Sequence, residues 1–384
     1  MKNKHSIDKP RFLVLLFGSL SYDGRVRRML DVYKEIGDVS IVDVNEEGLQ
    51  SNAREKGVNR VTIIFPKAVG KFAKHIIFGW KTMMMAWKIK PSIIVVEDYF
   101  PLLIGLILAK LYGAKLIYDA HELIIRDPGQ SMSARDLFWY LVERTSIHHA
   151  DLVIAVNEER AQIMAEHYCL RDKPVVVRNL PKNETIRIEK EKILERFPEM
   201  VRRDSDEVII IYQGDISISR GIDRFILALN YLDSRYRMII IGSGKDVKAI
   251  KETVKTFSEQ GRFSVLGPVE NWLLPSITCL ADLGIVTYPF RGLNNIYCAP
   301  NKIFEYLQSG LVVVCTDQPP LRRLVTQYRI GELITQGDSP KQIAKVIEKV
   351  IENKANYVQN IGHFVKDHRW VDEAMKLRKA INDI

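Results

Sequence analysis

Lys302 and Glu305 are the residues whose types and spacing most directly suggest chemistry. They follow Pro300, which suits the first turn of a helix because its missing N–H would have no partner there. Side chains three residues apart project from one face of a helix. The free N–H groups of a helix N-terminus and a lysine attract phosphate, and a carboxylate one turn further can accept two hydrogen bonds from a vicinal diol. The pair therefore predicts a nucleotide site, although a solvated lysine–glutamate pair on an ordinary helix fits these two residues equally well.

Glycines follow three predicted strands in the same half of the chain. Gly214 ends one strand ahead of Arg220-Gly221, Gly242-Ser243-Gly244 ends the next, and Leu266–Val269 ends the third. Glycine lets a ligand approach the backbone closely, although a glycine after a strand most often serves a turn. Because the three turns occur in order, each at the end of a strand, together they favour a ligand site.

Strands and helices alternate through both halves of the chain. The apolar strand Phe12–Phe17 leads through a glycine-containing turn into a helix at Arg25–Ile36, and a second alternation begins at Val208. This pattern predicts two Rossmann-like, doubly wound parallel sheets whose strand ends face each other across a cleft. The predicted division is an N-terminal domain at 1–182, a charged linker at 183–206, a C-terminal domain at 207–360 and C-terminal helices at 361–384.

The composition of the chain places it among soluble globular proteins of enzyme size. Its 384 residues are 47% hydrophobic and 27% charged, and this length favours two domains. The longest apolar run, Tyr99–Ala109, is too short for a membrane span, and the N-terminal lysines precede no signal-peptide core. The four cysteines lack metal-ligand spacing, which argues against structural zinc and predicts a cytoplasmic location.

The net charge of +9 calls for an explanation of its own. Much of the excess lies between Lys56 and Val96, a stretch with no acidic residue. No nucleic-acid-binding motif accompanies it, so nucleic acid is not an expected partner. Residues 67–90 would instead suit an anionic membrane surface, which would place the protein peripherally at the inner membrane face.

Val69–Trp87 is predicted to be an amphipathic helix. Its apolar stripe comprises Val69, Phe72, Ala73, Ile76, Ile77, Trp80, Met83, Met84 and Trp87. One interpretation is that this stripe covers the sheet, as every crossover helix of an α/β domain does. The alternative is membrane contact, which stays open because Phe78 and Met85 lie off the stripe.

Taken together, the motifs resemble those of GT-B glycosyltransferases, most closely the glycosyltransferase family 4 (group 1) enzymes. The similarity covers nearly the whole chain and is most specific at Pro300–Tyr306, followed by Asp119-Ala120-His121-Glu122. The other matching segments are Asp23–Arg28, Ala150–Ile154, Arg178-Asn179, Gly214 with Arg220-Gly221, Gly242–Gly244, Leu266-Gly267 and Ala281-Asp282.

The resemblance implies a site for a nucleotide-diphosphate sugar (a UDP-, GDP- or other NDP-sugar) in the second domain. Glu305 would bind the ribose, and Arg220 and Lys302 would hold the diphosphate. Charge that accumulates on the departing diphosphate is stabilised by such fixed cations. The remaining residues of this implied site, which approach the donor or line its base, are Gly214, Gly242, Gly244, Pro268, Val269 and Asn301.

The resemblance also implies an acceptor side in the first domain. His121 would reach the transferred sugar or the attacking hydroxyl, while Glu122 would support the loop. Gly18, Asp23 and Arg25 would frame the acceptor, although Asp23 also fits a simple helix cap. In this fold the C-terminal helices return to the first domain. The expected acceptor is a glycan or a lipid-linked glycan.

One departure from the family pattern affects the mechanism. A glutamate is common eight positions before the ribose-binding one, and Tyr297 stands there in this sequence. Retention of anomeric configuration is implied by the family, and Tyr297 makes it less secure. Asp204-Ser205-Asp206 matches a metal-binding Asp-x-Asp but precedes a strand rather than following one, so no metal or other cofactor is expected.

We therefore expect a glycosyltransferase with a hydroxyl acceptor. Two alternatives remain. One is a nucleotide-sugar epimerase or a phosphorylase of similar fold, although the cofactor-lysine motif expected of a phosphorylase is not found. The other is a noncatalytic partner subunit, suggested only by Tyr297.

Overall fold

The structure is a computed structural model of the chain. It describes residues 9–45, 56–66, 68–127, 129, 131–182, 190–255, 257, 260–270 and 272–384. Lys67 and the first part of the predicted linker, 183–189, lie outside the described residues. The chain divides into unit 1, Met1–Arg178 with Val371–Ile384, and unit 2, Asn179–Trp370.

Unit 1 is built on a seven-stranded sheet in the order β3-β2-β1-β4-β5-β6-β7, parallel at every pair. The strands are β1 (Arg11–Leu16), β2 (Asp38–Asn45), β3 (Val58–Ile64), β4 (Ile93–Glu97), β5 (Lys115–Ala120), β6 (Leu152–Ala155) and β7 (Val175–Val176). The order reverses between β1 and β4, and the carboxyl ends of all the strands lie at one edge, where ligands bind in such sheets.

In the described part of unit 1, five helices connect these strands: α1 (Gly24–Ile36), α2 (Lys71–Ile89), α3 (Leu102–Tyr112), α4 (Ala134–Ser146) and α5 (Glu158–Tyr168). The central strands are apolar and buried on both faces, as strands covered by helices on two sides must be. Gly105 brings α3 close to β4, because a Cβ there would lie 2.3 Å from Cγ2 of Val96.

Unit 2 is built on a six-stranded parallel sheet in the order β10-β9-β8-β11-β12-β13. Its strands are β8 (Val208–Asp215), β9 (Tyr236–Ser243), β10 (Phe263–Gly267), β11 (Leu283–Val286), β12 (Val312–Thr316) and β13 (Gly331–Ile334). Within the residues that the structure describes, its helices are α6 (Lys190–Arg196), α7 (Ile222–Ala228), α8 (Val247–Thr253), α9 (Leu274–Thr278), α10 (Leu293–Ile296), α11 (Asn301–Gln308), α12 (Pro319–Tyr328), α13 (Pro340–Glu352) and α14 (Lys354–Asp367). The prediction of two doubly wound parallel sheets is confirmed.

The charged segment before β8 packs onto unit 2. Ile193 on α6 and the following Phe197 and Met200 are buried in the core of this unit. The described residues of the predicted linker from Lys190 onward therefore belong to unit 2, because their apolar side chains fill its core. The hydrophobic spacing was hidden by the many charges between these three residues.

The C-terminal segment contributes to both units. Ile361 and Phe364 of α14 are buried in the core of unit 2. A last helix, α15 (Trp370–Asn382), follows, and from Val371 onward it belongs to unit 1. Its Glu373 accepts a hydrogen bond from the backbone N–H of Arg178 at 3.0 Å.

Helix α2 buries the face opposite to the one that its apolar stripe predicts. Phe78 and Met85 are buried, whereas Phe72 and Trp87 are 79% and 72% exposed. The helix contacts β1 and β2 as a crossover helix does, but through the side that carries Phe78 and Met85. Because α2 is apolar on two opposite sides, its periodicity does not distinguish the buried side from the exposed one.

Candidate functional site

Two cations of unit 2 meet on one aromatic surface. Lys302, at the second position of α11, has its Nζ 4.2 Å from the centre of the Tyr212 ring and 5.9 Å from that of Tyr288. The guanidinium carbon of Arg220 lies 5.0 Å from the centre of the same Tyr288 ring. Glu305 follows Lys302 by one turn of α11 and is half-buried. The structure thus brings together the two cations and the acid that the sequence singles out.

The proximity of these charges shifts the pKa of Lys302. Burial is the main cause, and the positive charge of Arg220 adds to it, while Glu305 and Asp215 act in the opposite direction. The result is a pKa lowered to about 8. An anion bound beside Lys302 would stabilise its charged form, so the site is arranged to gain from a negatively charged ligand.

Arg220 is held by the loop that follows β8. Its Nε lies 3.5 Å from a carboxylate oxygen of Asp215, and its backbone carbonyl accepts a hydrogen bond of 2.8 Å from the hydroxyl of Thr287. Gly221 follows with φ of +79°, a conformation that suits glycine at the start of α7. The backbone position of Arg220 is therefore fixed, and its side chain is balanced by one exposed carboxylate.

The predicted glycines lie where β8 and β9 end side by side. Gly214 and Gly242 are register partners, with φ of +121° and +140°. A Cβ on Gly242 would lie 1.9 Å from the carbonyl oxygen of Gly214, and one on Gly244 would lie 2.1 Å from that of Ile216. The packing of the strand ends therefore requires glycine at positions 242 and 244. Gly214 lies next to Lys302, because a Cβ on Gly214 would be 3.4 Å from Nζ of that lysine.

The other residues assigned to the nucleotide-sugar side lie at or near the same end of the unit 2 sheet. Pro268 and Val269 follow β10, whose register on β9 shifts between Val265 and Gly267. Asn301 is the exposed first residue of α11. Tyr297 ends α10 just before it and is half-buried. The strand order supports one shared edge for these loops, because the carboxyl ends of parallel strands face the same way.

A second group of ionisable residues lies in unit 1. His121, which follows β5, has its Nε2 3.0 Å from Oε2 of Glu97 and 3.5 Å from Oδ2 of Asp119. Arg25 donates two hydrogen bonds to Asp119, of 2.9 and 2.7 Å, and a third to the carbonyl of Val177. All but His121 are almost fully buried, and the imidazole is 20% exposed.

Burial and charge set the protonation of this group. Burial raises the pKa of Glu97 to about 7, although His121 opposes the shift. Burial would also raise the pKa of Asp119, but Arg25 and His121 outweigh it and hold that pKa well below its usual range. Burial lowers the pKa of His121, and hydrogen bonds and charge from Asp119 and Glu97 overcome this and raise it well above the ordinary value. The two carboxylates therefore favour the charged form of the imidazole.

The residues predicted for the acceptor side make contacts that have a structural role of their own. Asp23 caps α1 by accepting the N–H of Val26 at 2.9 Å, and the carbonyl of Gly18 accepts the N–H of Val44 at 2.9 Å. Arg25 is 4% exposed. Its guanidinium donates hydrogen bonds to Asp119 and to the carbonyl of Val177, and these contacts hold the strand end before His121. A role for Arg25 on the acceptor side stays a prediction.

Three functional candidates escaped the sequence reasoning: Glu97 in unit 1, and Tyr212 and Tyr288 in unit 2. Asp119 was matched only as part of the motif that contains His121. Glu97 ends a strand of otherwise apolar residues, and such an acid is seldom buried unless it is paired. The contrast between Glu97 and its apolar neighbours could have marked it as a candidate from the sequence. The tyrosines had no such signal, because an aromatic residue in or after a buried strand most often serves the core.

Among the described residues, one group of three side chains has metal-ligating spacing, namely Glu97, Asp119 and His121. Both oxygens of Asp119 accept hydrogen bonds from Arg25, and a cation placed there would meet that guanidinium. The donor set therefore fits a metal poorly. Asp204-Ser205-Asp206 forms an exposed turn before β8.

Two family models match the chain. The model of Glycosyltransferase Family 4 matches residues 37–180, and that of Glycosyl transferases group 1 matches residues 195–368. No curated protein sequence matches the chain.

Solved structures share the fold at low sequence identity. Anabaena HepE in complex with UDP-glucose is 16% identical, with a TM-score of 0.74 over 97% of this chain and 100% of its own. Sucrose-phosphate synthase from Thermosynechococcus elongatus is 15% identical, with a TM-score of 0.74 over 97% and 98%. WaaG, a glycosyltransferase involved in lipopolysaccharide biosynthesis, is 12% identical, with a TM-score of 0.71 over 96% and 98%.

Proposed function

The chain belongs to the glycosyltransferases, with a family 4 domain followed by a group 1 domain, and from this premise we propose that unit 2 holds a nucleoside-diphosphate sugar whose sugar is transferred to a hydroxyl acceptor. The acceptor we propose is a glycan or a lipid-linked glycan at an anionic membrane surface. Anabaena HepE binds UDP-glucose, which makes UDP-sugars the first donors to test.

The observation that carries this proposal is the meeting of Arg220 and Lys302 on Tyr288, with Glu305 one helical turn away. Two cations at the N-terminus of α11 suit a diphosphate, and a carboxylate on the next turn suits the two hydroxyls of a ribose. As the glycosidic bond breaks, negative charge develops on the departing diphosphate. Fixed cations stabilise that charge more in the transition state than in the ground state.

For His121 we propose contact with the transferred sugar or the attacking hydroxyl. Since Asp119 and Glu97 favour the charged form of the imidazole, it would donate a hydrogen bond rather than remove a proton. Its side chain is also partly exposed, whereas those of Glu97 and Asp119 are fully buried. We further propose front-face transfer with retention through an oxocarbenium-like state, and the anomeric coupling constant of the product would reveal inversion if it occurs.

Catalysis without a metal is the third part of the proposal. Arg220 and Lys302 would serve the diphosphate, and Arg25 occupies the Asp119 carboxylate of the single group in the described residues that has metal-ligating spacing. Turnover that is unchanged in EDTA would support this part, and loss of turnover that Mg²⁺ restores would contradict it.

The experiment that tests the function combines nucleotide binding with turnover. Melting of the wild type, Lys302→Ala and Glu305→Ala is followed across UDP, GDP and ADP, because a ligand of the folded state raises its stability. Each variant is expected to weaken binding of the preferred nucleotide by about 10- to 100-fold, as loss of a charge-assisted hydrogen bond does. Lys345→Ala, an exposed lysine of α13, is the matched control.

Turnover separates the alternatives. A transferase loses sugar transfer in Lys302→Ala, Glu305→Ala and His121→Ala, and it requires an acceptor other than water for its glycan product. An epimerase would convert the sugar nucleotide with no acceptor present. A noncatalytic subunit would keep its cellular function in all three variants, and that result would contradict the proposal.

A further inference from the structure

Three neighbouring helices of unit 1 expose large apolar side chains. We call the following set the apolar face: Phe72, Ile76, Trp80, Met83, Met84 and Trp87 of α2, Leu103, Ile107 and Leu111 of α3, and Leu137, Phe138 and Leu141 of α4. The α2 members follow helical spacing along one side, and the α3 members recur every four residues. Single exposed apolar residues are normal, whereas a set of this size on adjacent elements marks an interaction surface.

The fold places these helices together. They connect β3 to β4, β4 to β5 and β5 to β6, and all three connections run in the same direction across the sheet, so right-handed crossovers put the three helices on one side. Helix α3 contacts both α2 and α4. The ring of His75 on α2 lies 4.3 Å from that of Phe17 and 5.0 Å from that of Trp139 on α4. These contacts tie α2 and α4 to the carboxyl end of β1, the edge of the sheet where His121 also lies.

Cations accompany the apolar face. Lys74, Lys81 and Lys88 recur every seven residues and form one row along α2, beside its exposed apolar side. The other basic residues of the three helices and their ends are Lys71, Lys90, Lys110, Arg135 and Arg144. Helices α2 and α3 contain no acidic residue at all.

The acids of α4 do not offset this charge. Asp136 forms an ion pair with Arg135 at 3.2 Å and accepts a hydrogen bond from Ser133. Glu143 is buried and accepts hydrogen bonds from Tyr118 and Tyr168. The three helices therefore present apolar side chains with a clear excess of positive charge.

We propose that the apolar face docks unit 1 onto a bilayer of anionic lipid. Trp80 and Trp87 would lie in the interfacial region, where the amphipathic tryptophan ring is most stable, and the lysine row of α2 would contact the headgroups. Charge complementarity favours this occupant over a second copy of the chain, because two copies joined through this face would place like charges together. No helix in the described part of the chain is long and apolar enough to cross a membrane.

The apolar face extends the membrane contact predicted for residues 67–90 to α3 and α4. It rests on the proposed function only for the reason to dock, which is to reach an acceptor at the membrane. Docking itself needs no donor. A failure to bind vesicles would therefore leave nucleotide binding and sugar transfer untouched, and a failure of those would leave docking untouched.

The test is sedimentation of the full chain with vesicles of phosphatidylcholine alone and with phosphatidylglycerol added, without any sugar nucleotide. The wild type is expected to bind the anionic vesicles, with a blue shift of tryptophan emission. Changing Lys74, Lys81 and Lys88 to glutamine is expected to weaken binding by about fivefold per lysine, on the order of a hundredfold in all. Trp80→Ser with Trp87→Ser is expected to abolish most of the blue shift.

Matched controls come from unit 2. Lys248, Lys251 and Lys345, all exposed, are changed to glutamine together, and Trp272, 73% exposed, is changed to serine. Circular dichroism checks that each variant is folded. The proposal is overturned if the wild type does not bind anionic vesicles, or if the control variants lose as much binding as the α2 variants. It is also overturned if Trp80→Ser with Trp87→Ser converts a dimer into a monomer without changing vesicle binding.

Discussion

At the scale of single residues, Tyr288 explains how two cations stay side by side in the absence of an anion. Its ring is shared by Arg220 and Lys302, and the face of an aromatic ring attracts cations. The compensation is incomplete, because the pKa of Lys302 is still lowered to about 8. Burial is the main cause of this shift and the charge of Arg220 adds to it, and a diphosphate bound beside Lys302 would offset both.

This pKa predicts how nucleotide binding depends on pH. Below about pH 8 Lys302 already carries its charge, and above it binding of a diphosphate must take up a proton. The dissociation constant of the preferred nucleotide is therefore expected to rise with pH above 8, by up to about tenfold per pH unit. Isothermal titration calorimetry in buffers of different ionisation enthalpy measures both the affinity and the proton uptake.

Lys302→Arg is the control for that experiment. An arginine remains charged throughout this range, so its affinity is expected to stay level from pH 7 to 9.5 or so. Equal pH dependence in the wild type and Lys302→Arg would show that another group is responsible.

Single residues also mark the limit of reasoning from sequence. Lys302, Glu305 and Arg220 could be singled out because their helix and turn positions are readable from proline and glycine. The contact of Arg25 with Asp119 could not be predicted, because Asp119 lies on a distant strand and only the folded sheet brings the two together. The same holds for Glu97, whose partner His121 follows a different strand.

At the scale of elements, periodicity predicted which segments are helices and strands better than it predicted which side they bury. Helix α2 was placed correctly in the alternation, but it buries Phe78 and Met85 instead of its longer apolar stripe. A helix that is apolar on two sides is expected where one side meets the sheet and the other meets a non-aqueous surface. The exposed stripe of α2 contradicts the interpretation that this stripe covers the sheet, and it is the same feature that supports docking.

The paired ends of β8 and β9 give a prediction at this scale. Gly242→Ala would drive a Cβ to 1.9 Å from the carbonyl oxygen of Gly214, in a backbone conformation with φ of +140°. We expect a loss of about 2–4 kcal/mol in the free energy of unfolding, as strain and overpacking together produce. Urea denaturation followed by circular dichroism measures it.

Gly337→Ala is the matched control, since a Cβ there would meet nothing within 4 Å. Its effect is expected to stay within about 0.5 kcal/mol, as for most surface substitutions. If both variants unfold at the same urea concentration, the close approach of β8 and β9 does not limit stability.

At the scale of the whole molecule, each unit has a core of its own, and the chain passes through unit 1 twice. Leu377 of α15 is fully buried and belongs to unit 1, while Phe364 of α14 is buried in unit 2. Arg178 joins the two passages, since its backbone N–H and its guanidinium both contact Glu373. Neighbouring helices at the C-terminus therefore stabilise different units.

Leu377→Ala and Phe364→Ala are expected to destabilise different units. Each removes a buried side chain at a cost of about 2–5 kcal/mol. Hydrogen exchange should rise in β1, β4 and β5 for Leu377→Ala and in β8, β11 and β12 for Phe364→Ala. Faster exchange in the same strands for both variants would contradict the division of the cores.

The return of the chain to unit 1 has a consequence for synthesis. Unit 1 lacks Val371–Ile384 until the ribosome has translated all of unit 2, so its seven strands emerge early and wait for their last helix. Domains generally fold in the order in which they are translated. Here unit 1 is translated before unit 2 but can be completed only after it. Nascent chains stalled with Trp370 outside the ribosome and Val371–Ile384 still inside it should resist protease in unit 2 but not yet in unit 1. Unit 1, whose strands are translated before those of unit 2, is therefore the unit that is completed last.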